Sequence, residues 1–384
     1  MSRTGFSRDK SKEKHYVQSI ETEHCLPMSD KTLVPPRDSK PVLHYPCGEA
    51  PAAGTAREIA PGVLWLRMPM PLTLNHINLW ALRDGNGWAV IDTGLQTSDT
   101  AAAWHNLFAD GGALAQGGLT RVFATHMHPD HIGMAGWLTR KFDCRLWMTR
   151  TEYLMCRVLA TDTGRAAPDD GVRFYRQAGW DAAAIELYRT RFGGFGKFVH
   201  ALPDSFRRLG DGDILNIGEH SWRVVTGNGH SPEHACFYCA ELKLLISGDQ
   251  VLPRISSNVS VFPTEPDANP MADWLASLDK LQHTIPNDVL VLPAHNEPFT
   301  GLHERLDYLR RSQHAALDRL RQTLVQPKRA VDVFDQLFSR PIGSEPGLLG
   351  MATGESIAHL NYLLHCGEVE VELRSDRHAW YRLR

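Results

Sequence analysis

The sequence of 384 residues lacks a long hydrophobic run, an excess of charge of one sign and any internal repeat. No segment approaches the roughly 18 apolar residues that a membrane-spanning helix needs, so we expect no membrane insertion. The N-terminal stretch MSRTGFSRDKSKEKHYVQS has no apolar run typical of a secretory leader, which favours a cytoplasmic location. With 41 basic and 44 acidic residues, the net charge of −3 disfavours nucleic acid as a partner and leaves only a local basic patch to bind it.

Cysteine is also sparse: seven residues, an odd number, are scattered from Cys25 to Cys366. This pattern is not that of a small secreted domain held by disulfides, and it fits a reducing compartment. Cys236 and Cys239 have the spacing of a metal-binding pair, but ACFYCA predicts a β-strand. Residues three apart on a strand face opposite sides, so we expect both cysteines to pack in the core.

Changes in composition and in apolar periodicity along the chain predict three parts. Residues 1–45 are polar without apolar periodicity and predict a disordered tail, in which Met28 is an alternative start. Residues 46–300 contain two strand-rich halves separated by helical patterns, which predicts an α/β protein with an αββα sandwich. Within them, residues 150–205 show helical patterns with Gly-rich breaks and predict a helical insert. Residues 301–384 begin with helical sequence, include a helix near 355–365 and end in a predicted hairpin, as in a small winged-helix-like domain.

The segment THMHPDHIG places four candidate metal ligands at a predicted strand-to-helix junction. His126 and His128 are two apart at a strand end, so they share a face and can hold one ion. Asp130 and His131 begin the next helix, face another way and can hold a second ion. Imidazole and carboxylate ligands without thiolate favour zinc, although iron and manganese also accept this set.

Three further candidate ligands each follow an apolar run: His230 in VVTGNGH, Asp249 in LLISGDQ and His295 in VLVLPAH. Asp249 is suited to bridging two ions, because a carboxylate can place one oxygen on each. His234, four residues after His230, is expected to support the site by hydrogen bonding rather than to bind metal. His76 and Asn78, in LNHINLW, are expected to pack.

The order of IDTG, H-x-H-x-D-H, a glycine-preceded histidine, Gly-Asp at a strand end and a final PAH resembles the metallo-β-lactamase superfamily over about residues 60–300. The resemblance implies that His126, His128 and His230 hold a first metal. It assigns a second metal to Asp130, His131 and His295, with Asp249 bridging the two. Asp92, in AVIDTG, matches the superfamily's first motif and would orient ligand imidazoles without binding metal.

The resemblance implies a hydrolase in which two cations lower the pKa of a shared water and supply hydroxide, while Asp130 or a metal-bound water returns a proton to a leaving group that needs one. We expect a small acyl substrate, a thioester or related ester such as an acyl-CoA. Lactone hydrolysis, phosphodiester or RNA cleavage and iron-dependent redox chemistry stay open. The C-terminal part resembles a domain of a lactamase-like subgroup that includes RNA-cleaving members. Homodimers are common among proteins of this fold.

The insert over residues 150–205 carries aromatic side chains, among them Tyr153, Tyr175 and Trp180, together with several arginines. Such a block predicts a cap that encloses an acyl chain, with arginines at its rim for an anionic group. A helical insert that only packs against the core is the alternative.

Overall fold

Two β-sheets form the centre of the fold. The computed structural model describes residues 40–71, 73–343 and 345–384. Within these residues, one sheet contains seven strands in chain order: β1 (Ala56–Ala60), β2 (Val63–Pro69), β3 (His76–Asp84), β4 (Gly87–Ile91), β5 (Leu119–Phe123), β6 (Arg145–Thr149) and β7 (Arg207–Leu209). The other contains five, in the order β12-β11-β10-β9-β8: β8 (Ile214–Ile217), β9 (His220–Gly227), β10 (His234–Cys239), β11 (Leu244–Gly248) and β12 (Leu290–Pro293).

Side chains alternate between the two faces of each sheet, and the inward faces meet in a shared apolar layer. Trp65 and Trp80 lie opposite each other on β2 and β3 and stack with ring centroids 6.1 Å apart. Phe123 of the first sheet contacts Phe237 of the second edge to face at 5.5 Å. This layer joins the sheets face to face.

Helices cover the outer faces. On the first sheet lie α1 (Ser98–Phe108) and α3 (Ala135–Phe142), with the short α2 (Pro129–Ile132) between them. On the second lie α7 (Pro270–Thr284) and α8 (Leu302–Thr323). Cys236 faces the helices and Cys239 faces the other sheet, as strand alternation predicted. The predicted α/β class and αββα sandwich are confirmed.

The segment predicted to be an insert is helical, with α4 (Arg150–Thr161), α5 (Asp169–Ala178), α6 (Ala182–Arg191) and a 3-10 turn over Phe195–Phe198. Several of its aromatic residues pack against one another or against the core. Tyr153 stacks on Phe206 with centroids 4.0 Å apart, and Tyr175 stacks on Trp180 at 4.2 Å inside the core. These side chains pack, as in the alternative of an insert that packs against the core, and the cap stays a prediction.

The C-terminal part contains a 3-10 turn over Ala330–Val333, α9 (Phe334–Leu337), α10 (Pro346–His365) and the antiparallel hairpin of β13 (Val369–Leu373) and β14 (Ala379–Leu383). The hairpin was predicted. The helix begins at Pro346 and not near residue 355, because Gly347, Gly350 and Gly354 weaken its helical pattern in the sequence while packing against the core supports the helix.

Of the predicted tail, residues 1–39, including Met28, lie outside the described residues. His44 and Thr300 exchange two backbone hydrogen bonds, of 3.4 and 2.9 Å.

Cys366 is disulfide-bonded, which the scattered cysteine pattern did not predict. No described helix combines the length and apolarity that crossing a membrane requires.

Candidate metal centre

The first pair of predicted ligands lies in the loop that follows β5. His126 Nε2 and His128 Nδ1 point at each other at 2.8 Å, and His230 stacks edge to face against both rings. Burial is the main cause that lowers the pKa of His126 well below its ordinary value, and the neighbouring histidines add to it. Burial and the nearby His230 lower the pKa of His128 to about 3. Both imidazoles are therefore neutral at physiological pH, with lone pairs available to a cation.

The second group consists of Asp130, His131 and His295. Asp130 Oδ2 lies 3.6 Å from His131 Nε2 and 3.3 Å from His295 Nε2. Burial opposes the charge of His131, but Asp130, Asp92 and Asp249 outweigh it and raise its pKa well above the ordinary value. Positive charge is thus favoured at this point, whether a proton or a metal ion supplies it.

Asp249 stands between the two groups at the end of β11. Its Oδ2 is 3.4 Å from His230 Nε2 and 3.5 Å from His131 Nε2, while its Oδ1 is 3.4 Å from His295 Nε2. The preceding Gly248 has φ +51°, and a Cβ there would lie 2.5 Å from His234 Nε2. Glycine therefore permits the turn that brings this carboxylate between the histidines.

The spacing of these side chains fits metal binding. Two ligands that each lie about 2.1 Å from one tetrahedral zinc are about 3.4 Å apart. The separations of 3.3–3.6 Å around Asp130 and Asp249 match that spacing and are too long for good hydrogen bonds. His131 Nε2, His230 Nε2 and Asp249 Oδ1 are buried without a hydrogen-bond partner among the described residues. Buried polar atoms left in this way indicate a bound cation.

The other nitrogens of the ligand histidines are held by the surrounding structure. Asp92 Oδ2 accepts a hydrogen bond from His131 Nδ1 at 2.8 Å, and its Oδ1 accepts the backbone N–H of Thr125 at 2.8 Å. Asp92 has φ +63°, a conformation that is strained for a residue other than glycine. This carboxylate therefore orients a ligand imidazole, the arrangement expected from its motif.

His234 lies behind the centre. Its Nε2 accepts the backbone N–H of Asp249 at 3.1 Å, so it fixes the main chain that carries the central carboxylate. His76 and Asn78 do more than pack, because the His76 carbonyl accepts from His295 Nδ1 at 2.9 Å and Asn78 Nδ2 donates to the Asn296 carbonyl at 2.7 Å. Both residues hold the loop of His295, a role that a strand pattern alone does not reveal.

Glu152, in the first turn of α4, joins two ligand loops and gave no signal in the sequence. Its carboxylate is buried and accepts the N–H of Met127 at 3.0 Å and that of Glu233 at 2.9 Å. Met127 lies between His126 and His128, and Glu233 follows His230. Burial is the main cause of the raised pKa of Glu152. Only the tertiary fold brings these segments together.

A family model described as the metallo-beta-lactamase superfamily matches residues 72–295, more than half of the chain. The chain belongs to the metallo-β-lactamase superfamily. A second model, described as a metallo-beta-lactamase-like C-terminal domain, matches residues 317–384. The predicted class, a hydrolase with the metallo-β-lactamase fold, is confirmed.

Three relatives of this superfamily member are informative. A beta-lactamase domain protein from Burkholderia ambifaria, whose crystal structure is known, is 40% identical to this chain in sequence. Its structure superposes with a TM-score of 0.79, and the match covers 89% of this chain and 98% of that one. Acyl-coenzyme A thioesterase MBLAC2 of Homo sapiens is 24% identical over 63% of this chain and 81% of that protein. An atrochrysone carboxyl ACP thioesterase of Aspergillus fumigatus is 24% identical over 67% of this chain, but the match spans only 46% of the fungal protein.

Proposed function

We propose that this protein hydrolyses thioesters of small acyl groups, such as acyl-CoA, with two divalent metal ions for which zinc is the favoured identity. The observation that carries the proposal is the convergence of seven histidine and aspartate side chains, in two groups that meet at Asp249. The two relatives named as thioesterases, one acting on acyl-coenzyme A and one on a carrier-protein substrate, support the choice of bond. The cytoplasmic location and the homodimer stay predictions.

His126, His128, His230 and Asp249 would hold one ion, and Asp130, His131, His295 and Asp249 the other. When bound, two such cations make a shared water acidic enough to act as hydroxide and polarise a substrate carbonyl. The chain itself keeps the Nε2 atoms of His131, His230 and His295 turned inward by binding each Nδ1 from behind. A thiolate leaving group suits this arrangement, because it departs with little help from an acid.

Asp130 is the residue placed to handle the proton of the attacking water. Burial would raise its pKa, but His131 and His295 lower it to about 2, so it is a carboxylate at neutral pH. Its side chain is 18% exposed, more than those of its partners His131 and His295. Its Oδ2 faces the two histidines and would bind the ion, so the other carboxylate oxygen is the one that can accept a proton and pass it to a leaving group.

Two arginines of the long helix α8, Arg310 and Arg321, are paired with carboxylates of the protein. Arg310 pairs with Asp279 at 2.6 Å and with Asp307 at 2.8 Å, and Arg321 pairs with Glu368 at 2.6 Å. Each of these positive charges is matched within the protein, which weakens attraction to a phosphate backbone. A nuclease is therefore not the function we propose.

The test is a substrate screen with the metal-loaded protein and Asp249→Ala as the blank. Acyl-CoA thioesters, lactones, phosphodiesters and RNA are compared under one condition. We expect turnover of thioesters that Asp249→Ala lowers at least about 100-fold, in line with the loss of a bridging ligand. Cleavage of RNA alone, or oxygen consumption with bound iron and no hydrolysis, would contradict the proposal.

A further inference from the structure

The segment from Asn258 to Val261 connects the C-terminal helix α10 with a candidate metal ligand. The backbone carbonyl of Asn258 accepts a hydrogen bond from His230 Nδ1 at 2.7 Å. The side-chain Nδ2 of the same asparagine donates to Glu355 Oε2, also at 2.7 Å. One residue therefore holds a ligand histidine with its main chain and a carboxylate of α10 with its side chain.

The contact between this segment and α10 is close and specific. The N–H of Val261 donates to the Gly354 carbonyl at 3.1 Å, and Ser260 Oγ donates to Asn258 Oδ1 at 2.5 Å. A Cβ on Gly354 would lie 2.7 Å from Ser260 Oγ, so only glycine lets the helix approach this far. Glu355, the next residue, is thereby brought to Asn258.

The helix is fixed independently of the segment it holds. Trp180 Nε1 donates to Thr353 Oγ1 at 2.9 Å, and His359 Nε2 and Gln313 Oε1 are 2.8 Å apart. These contacts join α10 to the inserted helices and to α8. Because α10 is anchored on both neighbours, its carboxylate is a rigid partner for Asn258.

We propose that Glu355 is a positioning residue for the metal centre, acting on His230 through Asn258. It fixes the Asn258 side chain, which keeps the backbone carbonyl in place to hold Nδ1 and leaves Nε2 facing Asp249, 3.4 Å away. The C-terminal part thus contributes to the centre without supplying a ligand. This inference rests on the proposed function, since it assumes that His230 binds metal.

The experiment uses the full chain loaded with Co²⁺, whose visible absorption reports ligand geometry. Glu355→Ala should alter that spectrum and weaken the affinity for one of two ions about 10-fold in a chelator competition, as loss of an outer partner of a ligand histidine does. Glu355→Gln keeps an oxygen that can accept from Asn258, so it should restore both readings.

Two comparisons separate positioning from general destabilisation. Thr353→Val removes the Trp180 hydrogen bond from the same helix and should lower the melting temperature without changing the cobalt spectrum. Asn258→Ala keeps the backbone carbonyl and should reproduce Glu355→Ala, and combining the two should weaken cobalt binding no further than either alone.

An unchanged spectrum and affinity in folded Glu355→Ala, beside a wild type that binds two ions, would overturn this inference and leave the proposed function standing. Additive losses in the double variant would also overturn it, because Glu355 would then act by another route. A wild-type chain that binds no cobalt contradicts the proposed function itself.

Discussion

At the scale of single residues, the candidate centre depends on groups that hold its histidines from behind. Asp92 holds His131, and the carbonyls of Asn258 and His76 hold His230 and His295. A neutral histidine whose Nδ1 donates to a fixed acceptor presents its Nε2 lone pair, so these contacts select the tautomer of the neutral ring as well as the direction of the ring. The ligands are thereby oriented before an ion arrives.

Glu152 allows the sharpest test at this scale. Its two oxygens each accept one backbone N–H, from Met127 and from Glu233. Glu152→Gln replaces one oxygen with an NH₂ group that faces an N–H donor, which leaves a buried donor unsatisfied. We expect the free energy of unfolding to fall by about 1–3 kcal/mol and metal affinity to fall with it.

Urea denaturation and chelator competition measure the two quantities. Glu186→Gln, at an exposed glutamate of α6, is the matched control and should change neither. If Glu152→Gln behaved like that control, the two ligand loops would not depend on the carboxylate.

At the scale of elements, a polar contact centred on Asp84 joins the two sheets. Asp84, at the end of β3, binds Arg121 of β5 at 2.7 Å and accepts the N–H of Gly218, in the turn between β8 and β9, at 3.2 Å. Burial opposes ionisation, but Arg121, Thr120 and Gly218 outweigh it and lower the pKa of Asp84. The carboxylate therefore stabilises the folded state when ionised.

The sign of the pH dependence follows from that depressed pKa. The contribution is complete above the ordinary value of 3.8 and is lost as the pH falls through the lower folded value. Asp84→Asn should cost about 1 kcal/mol of unfolding free energy at pH 7 and less at pH 3.

Denaturant unfolding of both proteins at the two pH values checks this prediction. Asp288→Asn, which breaks the exposed pair of Lys243 and Asp288, is the control and should leave the midpoint unchanged. A difference between wild type and Asp84→Asn that grows toward pH 3 would contradict it.

At the scale of the whole molecule, the sequence predicted features that depend on neighbouring residues and missed contacts between segments far apart in the chain. His126, His128, Asp130 and His131 were visible because they are adjacent, and His230, Asp249 and His295 because each ends an apolar run. Strand alternation likewise placed Cys236 and Cys239 on opposite faces. The sandwich follows from the same patterns, since each apolar face requires a covering layer.

The contacts of Glu152, Asn258 and Glu355 were not predictable in this way. Each joins segments far apart in the chain, and the residues themselves look like ordinary helix or loop positions. The packing of the aromatic residues of the insert could not be predicted for a related reason. Composition shows that Tyr175 and Trp180 are apolar, but only the fold shows that α10 covers them.

The central claim is that seven side chains hold two metal ions on either side of Asp249, and anomalous X-ray diffraction at the absorption edge of the bound metal tests it most directly. We predict two peaks, one among His126, His128, His230 and Asp249 and the other among Asp130, His131, His295 and Asp249. A metal-loaded crystal without density at these positions, or with a peak only at the separate group of His220, Cys239 and Glu241, would contradict the account.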